Sequence, residues 1–286
     1  MSEPVSLVSP VSLVSPVSLV PLAVVGASGR MGLAVVRGAE AAGFRVVCAV
    51  ASHHAGADVG ELAGVGKLGV VIAPELSAIA ASGARVVVDF SHASALPPLC
   101  AICVSSGAAL VSGTTGLDGE GERALDQAAA HVPVLWEPNM SVGVAVLAAL
   151  VRRAIALLGP EVEVEIVETH HHRKADAPSG TALRLAEVAS SARAELGADS
   201  KLVHGREGRA AKRTPGEVGL HAVRGGDVIG DHTVHLFGAG ERLELTHRAT
   251  GRELFAQGAL RAAAHVVGRG PGRVRLAEVL EVALHA

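Results

Sequence analysis

A chain of 286 residues with 49% hydrophobic but only 2% aromatic residues can bury a sizeable core, and must build it from Val, Leu and Ala. Its formal charge of −3, with both signs interspersed, leaves no basic face for nucleic acid, and no stretch is long and apolar enough to span a membrane. The three cysteines, Cys48, Cys100 and Cys103, make no disulfide framework and fit a reducing, cytoplasmic setting.

Residues 5–20 repeat Val-Ser-Leu-Val-Ser-Pro twice and begin a third copy, with a proline every six residues that excludes a helix. The segment has neither a basic n-region nor a small-residue cleavage site, so it does not read as a signal peptide. Residues 1–20 are expected to be a disordered leader.

Pro21 to Val25 is a short apolar strand, followed at once by Gly26-Ala27-Ser28-Gly29-Arg30-Met31-Gly32 and a helical run from Leu33 to Ala42. Strand, glycine turn and helix form a dinucleotide-binding unit, in which the glycines let the backbone approach a pyrophosphate at the helix N-terminus. The spacing is G-x-x-G-x-x-G rather than the usual G-x-G-x-x-G. Arg30 reads either as a phosphate neutraliser or as an ordinary exposed arginine. A second strand, Arg45 to Val50, ends where an acidic residue would meet the adenosine ribose hydroxyls. The chain there reads Ala51-Ser52-His53-His54, with no carboxylate before Asp58. Ser52 is left as a hydrogen-bond donor to a phosphate.

Ala84 to Phe90 and Ala109 to Ser112 are buried, parallel-type strands. The second ends in Gly113-Thr114-Thr115-Gly116, small hydroxyl residues at the carboxyl edge where a cofactor would lie. Between them, Cys100-x-x-Cys103 follows Pro97-Pro98 in an apolar helix-like run with no second pair, which favours packing over redox chemistry. Val132 to Trp136 leads into Glu137-Pro138-Asn139-Met140-Ser141, and Val144 to Leu158 is a long apolar helix leaving the first domain.

Glu161 to Val167 alternates acidic and apolar residues with the period of a half-buried strand, and Ala182 to Ser190 has helical spacing. The stretch between them reads Glu168-Thr-His170-His171-His-Arg-Lys174-Ala-Asp-Ala-Pro-Ser179-Gly180-Thr181. Ser179 is a good N-cap, so the amides of Gly180 and Thr181 stand free at a helix start, beside several cationic side chains. The ligand suited to that combination is a compact molecule with more than one carboxylate. Three adjacent histidines cannot all reach one metal from an extended segment, and no cysteine or acid lies at zinc spacing, so no metal is expected. Residues 198–216 read as a basic, glycine-rich loop. Val218 to Arg224, His232 to Phe237 and Glu241 to His247 alternate as antiparallel strands, forming an open mixed sheet with the 161–167 strand. Arg252 to Gly268 is a closing helix.

The 168–181 stretch closely resembles the Glu-x-His-His-x-x-Lys-x-Asp-Ala-Pro-Ser-Gly-Thr signature of the 4-hydroxy-tetrahydrodipicolinate (dihydrodipicolinate) reductases of lysine biosynthesis, without a gap. The resemblance implies that His170 is the proton donor or acceptor beside the reacting ring and that Lys174 donates a proton. It implies that His171, Ser179, Gly180 and Thr181 hold the substrate. Gly-Ala-x-Gly-Arg-Met-Gly at 26–32 is similar to the loop with which that family holds NADH or NADPH. Gly113, Thr114 and Thr115 are implied to lie at the nicotinamide ribose. Pro138, Asn139 and Met140 match a segment against the nicotinamide, with Glu137 where a small residue is usual. Also implied is a homotetramer built on the open sheet face, with the end of the chain returning to the first domain.

The expectation is therefore an α/β protein: a Rossmann-like dinucleotide-binding domain (21–143 with 250–286) plus an α+β substrate-binding and oligomerisation domain (144–249) with an open mixed sheet. Its partner would be a small cyclic dicarboxylate, with no nucleic acid and no membrane. Two rivals are another NAD(P)-dependent oxidoreductase on the same scaffold and a non-catalytic NAD(P)-binding regulator. Neither has a reason for the 168–181 pattern.

Overall fold

The structure, a computed structural model, describes residues 18–209 and 211–281. Most of the 1–20 leader therefore lies outside the described residues. Its last residue, Val20, already belongs to the first strand.

The first half alternates strand and helix: β1 (Val20–Val25), α1 (Arg30–Ala39), β2 (Phe44–Val50), α2 (Val59–Ala63), β3 (Ile72–Ala73), β4 (Val86–Asp89), α3 (Leu96–Ser106), β5 (Ala109–Ser112), α4 (Gly119–Ala129) and β6 (Pro133–Trp136). The second half runs α5 (Val142–Leu158), β7 (Glu163–His170), α6 (Gly180–Ala194), β8 (Lys201–His204), β9 (Glu217–Arg224), β10 (Gly230–Phe237), β11 (Arg242–Ala249), α7 (Glu253–Val266), β12 (Gly272–Val274) and α8 (Leu276–Glu281).

The first sheet has the order β12-β6-β5-β4-β1-β2-β3 and is parallel throughout. Its central strands are continuous apolar runs because both of their faces are covered. Leu22 and Val24 of β1 pack towards α1 and α7, whereas Ala23 and Val25 pack towards α3 and α4. Cys100 and Cys103 sit in that second layer, and all three cysteines are free and buried. Burial pushes the Cys100 thiol up to about 11 and raises that of Cys103. A thiolate is thus disfavoured at both, as a packing role requires. β12 pairs with β6, so residues 272–274 return to the first sheet.

The second sheet has the order β11-β10-β7-β9-β8, with α5 and α6 on one face. β9 runs parallel to β7, reached by a crossover through α6 and β8, while β10 runs antiparallel to β7 and β11, so the sheet is mixed as expected. One expectation needs correction. Residues 201–204, read as loop, form β8, a short, mostly exposed edge strand with little apolar alternation to reveal it.

On the face away from α5 and α6, Glu165 accepts from Arg206 and His221 and pairs with Arg213. Its cross-strand partner is Gly219, where a Cβ would stand 1.8 Å from the Glu165 carboxylate. Desolvation opposes ionisation there, and the Arg206 and His221 bonds outweigh it, holding the Glu165 carboxyl below its ordinary range. Among the described residues, no helix is long and apolar enough to cross a membrane.

Candidate active site

Two cavities meet at the junction of the sheets. The first, about 290 Å³, is lined by Arg30, Met31, Phe90, Gly113 and Pro138, with Met140, Arg252 and Phe255 closing it. The second, about 230 Å³, includes Asn139, His170, His171, Lys174, Thr181 and His232, and Phe255 lines it too. Neither holds a dinucleotide and a second substrate together, but adjoining compartments can take a nicotinamide and its reaction partner.

The first cavity lies at the carboxyl edge of the parallel sheet, above the glycine turn. Gly26 has φ +73°, and a Cβ there would stand 2.5 Å from the Phe90 carbonyl. A Cβ on Gly32 would stand 2.2 Å from the Gly26 carbonyl. Only glycine fits either place, so the turn folds flat against the end of α1. The N-cap Gly29 supplies no side-chain acceptor, which leaves the first-turn amides of α1 for an external anion. These residues fit the diphosphate of a dinucleotide.

Of the residues expected here, Arg30, Met31, Gly113, Pro138 and Met140 line the cavity. Ala27 is buried and donates its amide to the Val50 carbonyl, and Ser28 sits half-buried beside it in the turn. Others are placed differently. The Thr114 hydroxyl is committed to Asp89 at 2.8 Å, so of that pair only Thr115, which is exposed, keeps a free approach to solvent. Asp89 is wholly buried and also accepts from Ser112 and Ser91, and so ties the β4 and β5 loops together. Glu137 lines neither cavity. Burial raises its carboxyl, and Arg184 of α6 offsets part of that rise. Asn139 turns its side chain into the second cavity, away from the first. Ser52 is exposed and bonds His53 Nδ1 at 3.0 Å. Asp58 is consumed locally, accepting from the amides of Gly60, Glu61, Leu68 and Gly69.

The second cavity is organised by Glu168, which is 0% exposed. β7 places Glu168 and His170 on the same buried face, two residues apart, by strand alternation. The Glu168 carboxylate takes the fork of Arg224 at 2.8 and 2.9 Å, the Ser179 amide at 2.9 Å and His170 Nδ1 at 2.6 Å. Burial alone would raise its carboxyl. The Arg224 fork, His170 and the Ser179 amide outweigh burial and hold it below the ordinary range. An ionised Glu168 only accepts, so His170 Nδ1 must donate, which leaves Nε2 for the cavity. Gly230 keeps that side clear, since a Cβ there would stand 3.0 Å from Nε2.

His232 packs edge-on against His170, with ring centroids 5.2 Å apart. Burial, then neighbouring His170, pushes His232 down to about 4, so it is neutral near pH 7. Its Nε2 meets the Ser179 hydroxyl at 3.1 Å. Ser179 also caps α6 by accepting from the Ala182 amide at 3.2 Å. Ser179 is therefore turned inward as a cap, not towards the cavity as a ligand contact. Gly180 and Thr181 follow it at the helix start, and a Cβ on Gly180 would meet nothing within 4 Å. The glycine leaves open the approach to two uncapped amides. Lys174 lines the cavity with its ammonium 2.8 Å from the Asp176 carboxylate. Desolvation, with Arg173 and Arg252 nearby, lowers His171 from its ordinary value. Among the described residues no three metal-binding side chains converge.

Glu168, Arg224, His232, Asp89 and Phe255 had no role in the expectations, although Glu168, two positions before His170 on a strand, shares its face.

A parallel dinucleotide-binding sheet, joined at its carboxyl edge to a cavity of cationic and imidazole groups, defines a nicotinamide-dependent oxidoreductase acting on an anionic substrate. The family models described as dihydrodipicolinate reductase, N-terminus and C-terminus, match residues 20–140 and 143–280. The chain belongs to the dihydrodipicolinate reductase family. It is 49% identical over 263 residues to the 4-hydroxy-tetrahydrodipicolinate reductase of Anaeromyxobacter sp. (strain Fw109-5), covering 91% of this chain and 97% of that one. It is 45% identical to the enzyme of that name from Alkalilimnicola ehrlichii, over 91% of this chain and 98% of that one. The fold is shared with a dipicolinate-bound dihydrodipicolinate reductase from Paenisporosarcina sp. TG-14 at a TM-score of 0.70, with 22% identity and 90% and 97% of the two chains covered.

Proposed function

We infer that this protein reduces 4-hydroxy-tetrahydrodipicolinate to tetrahydrodipicolinate with NADH or NADPH, in lysine and diaminopimelate biosynthesis. The observation that carries the reading is the Glu168-oriented His170, with Lys174 and the α6 start, in a cavity that shares Phe255 with the dinucleotide side.

When bound, the reduced nicotinamide supplies hydride to the substrate ring. The chain's own groups do the rest. The amides of Gly180 and Thr181, with His171 and Lys174, neutralise the substrate carboxylates. Lys174 and His170 Nε2 hold the proton that accompanies the added hydride, and the 4-hydroxyl of the substrate leaves as water, so that gain of hydride and proton and loss of water balance. Arg30 and the α1 start carry the diphosphate, with Met31, Gly113, Pro138 and Met140 around the nicotinamide.

Oxidation of NADH or NADPH by the purified protein, followed with freshly generated cyclic substrate, tests the activity. NADPH is expected to serve at least as well as NADH. With Asp58 occupied by four amides, the first carboxylate after β2 is not free to bond the ribose hydroxyls or to repel a 2′-phosphate. Ser52, His53 and His54 provide no arginine fork, so the phosphate gains about 1 kcal/mol or less. A kcat/KM for NADH more than about tenfold above that for NADPH would overturn this expectation.

We further propose a homotetramer in the cytoplasm. The face of the second sheet away from α5 and α6 carries Thr233, His235 and Phe237 opposite Thr246, Glu244 and Arg242. An open sheet face of this kind is suited to a second copy. A solution mass other than that of four 28.8 kDa chains would refute the assembly. Recovery in a membrane fraction would refute the location.

A further inference from the structure

The segment between β6 and α5 is the wall shared by the two cavities, and its side chains alternate between them. Pro138 and Met140 line the first, and Asn139, between them, lines the second. The segment bends at Pro138, after β6 has ended at Trp136, and the Asn139 amide reaches Thr181 on the far side.

Asn139 is fixed at both ends of its amide. Its Oδ1 accepts from the Ser141 backbone amide at 2.9 Å, and its Nδ2 donates to Thr181 Oγ1 at 2.8 Å. The Ser141 donor decides which end of the amide is oxygen. Thr181 Oγ1 therefore accepts from Asn139, and its own proton is free to be donated elsewhere. Thr181 lies in the first turn of α6, in the cavity beside Gly180. The Asn139–Thr181 bond thus runs from the wall of one compartment to the anion-binding helix start of the other.

The wall itself has little freedom. A Cβ on Gly258 of α7 would stand 1.8 Å from the Met140 carbonyl, so helix and wall touch backbone to backbone. On the other side, Ser141 caps α5 through the Val144 amide and meets His247 Nε2 at 3.4 Å. Pro138 and Met140, which a ligand of the first cavity would touch, thus hold Asn139 between two braced neighbours.

We propose that Asn139 is a positioning residue that couples the two compartments: a nicotinamide held against Pro138 and Met140 fixes Asn139, which keeps the Thr181 hydroxyl turned as a donor towards a substrate carboxylate. This rests on the functional reading above, in which the first cavity takes the nicotinamide and the second the dicarboxylate. Because binding linkage is reciprocal, the dicarboxylate must tighten the dinucleotide by the same factor.

Calorimetric titration of pyridine-2,6-dicarboxylate into the full chain, with and without saturating NADH, tests the proposal in four proteins: wild type, Asn139→Ala, Asn139→Asp and Thr181→Val. Wild type is expected to bind the dicarboxylate about tenfold more tightly with NADH present, and NADH equally more tightly with the dicarboxylate present. Asn139→Ala should bind each ligand alone and show coupling below about threefold. Asn139→Asp keeps the size and the Ser141 acceptor but cannot donate to Thr181, so it separates a packing role from the proposed one. It should lose the coupling as well. Thr181→Val should weaken the dicarboxylate whether or not NADH is present. Full coupling in either Asn139 variant, or none in wild type, overturns the proposal. Failure of wild type to bind either ligand alone overturns the functional reading instead.

Discussion

Lys174→Ala is expected to lower kcat by roughly two to four orders of magnitude, the usual contribution of a general acid. Lys174 lines the second cavity, and no other primary amine lies within the 168–181 stretch to replace its proton. Among the described residues its ion pair is with Asp176, whose side chain is 62% exposed, so the fold should lose under about 1 kcal/mol. Lys174→Arg separates the two tasks of the residue. A guanidinium keeps the charge for a carboxylate but does not give up a proton. It should restore much of the KM and little of the kcat. Steady-state kinetics on variants that melt like wild type decide the matter, and a near-normal kcat in the alanine variant removes Lys174 from the mechanism.

Substitution of Glu168 is expected to affect both activity and stability. Glu168→Ala strands the Arg224 fork, His170 Nδ1 and the Ser179 amide in a buried place, a loss of about 3–5 kcal/mol. Glu168→Gln keeps the shape but sets an NH₂ group against donors on every side. His170 then gains by reversing its tautomer, with Nδ1 accepting, and the proton at Nε2 is no longer governed by a carboxylate. We expect kcat to fall by roughly 10²–10⁴, with a smaller loss of stability than in the alanine variant.

The pH dependence of melting separates the two effects. The Glu168 carboxyl is lowered in the folded chain relative to an ordinary glutamate near about 4.3. Its stabilising contribution is fully present above that ordinary value and is lost as pH falls through the lower folded-state value. Glu165 and Glu217, also lowered, give every variant an acid-labile background, so the difference between wild type and Glu168→Gln isolates Glu168. That difference should shrink below about pH 4. If both proteins lose stability in parallel from pH 6 to pH 3, the folded-state carboxylate is not what orients His170.

The elements readable from sequence were those in which one local rule decides the outcome. Glycines at 26 and 32 were legible because a tight strand-to-helix turn admits nothing larger, and the structure shows backbone carbonyls within 2.5 Å of either added Cβ. Ser179 was legible as a cap because its neighbours already had helical spacing. The order of strands in the second sheet was not legible: β9 lies between β7 and β8 rather than beside the next strand in the chain, and no local pattern in 217–224 says so. Side-chain choice among equals was not legible either. Thr114 and Thr115 are identical in kind, and only the buried Asp89, carried by a strand 25 residues earlier, decides which hydroxyl is taken. Asn139 matches the cofactor segment together with Pro138 and Met140, yet its own amide bonds Thr181 in the other cavity, a contact 42 positions away that no local pattern reveals.

The Glu168 carboxylate joins three parts of the chain that are made at different times. The 168–181 stretch carries every residue of the motif, yet Arg224 lies 56 positions after Glu168, and His232 lies 53 after Ser179. A chain emerging from a ribosome therefore displays the complete motif well before it has a site. Until β9 and β10 dock, Glu168 has neither the guanidinium that sustains its charge nor the imidazole wall behind His170. Order of synthesis and order of assembly differ here, and the motif becomes chemically competent only when its distant partners arrive.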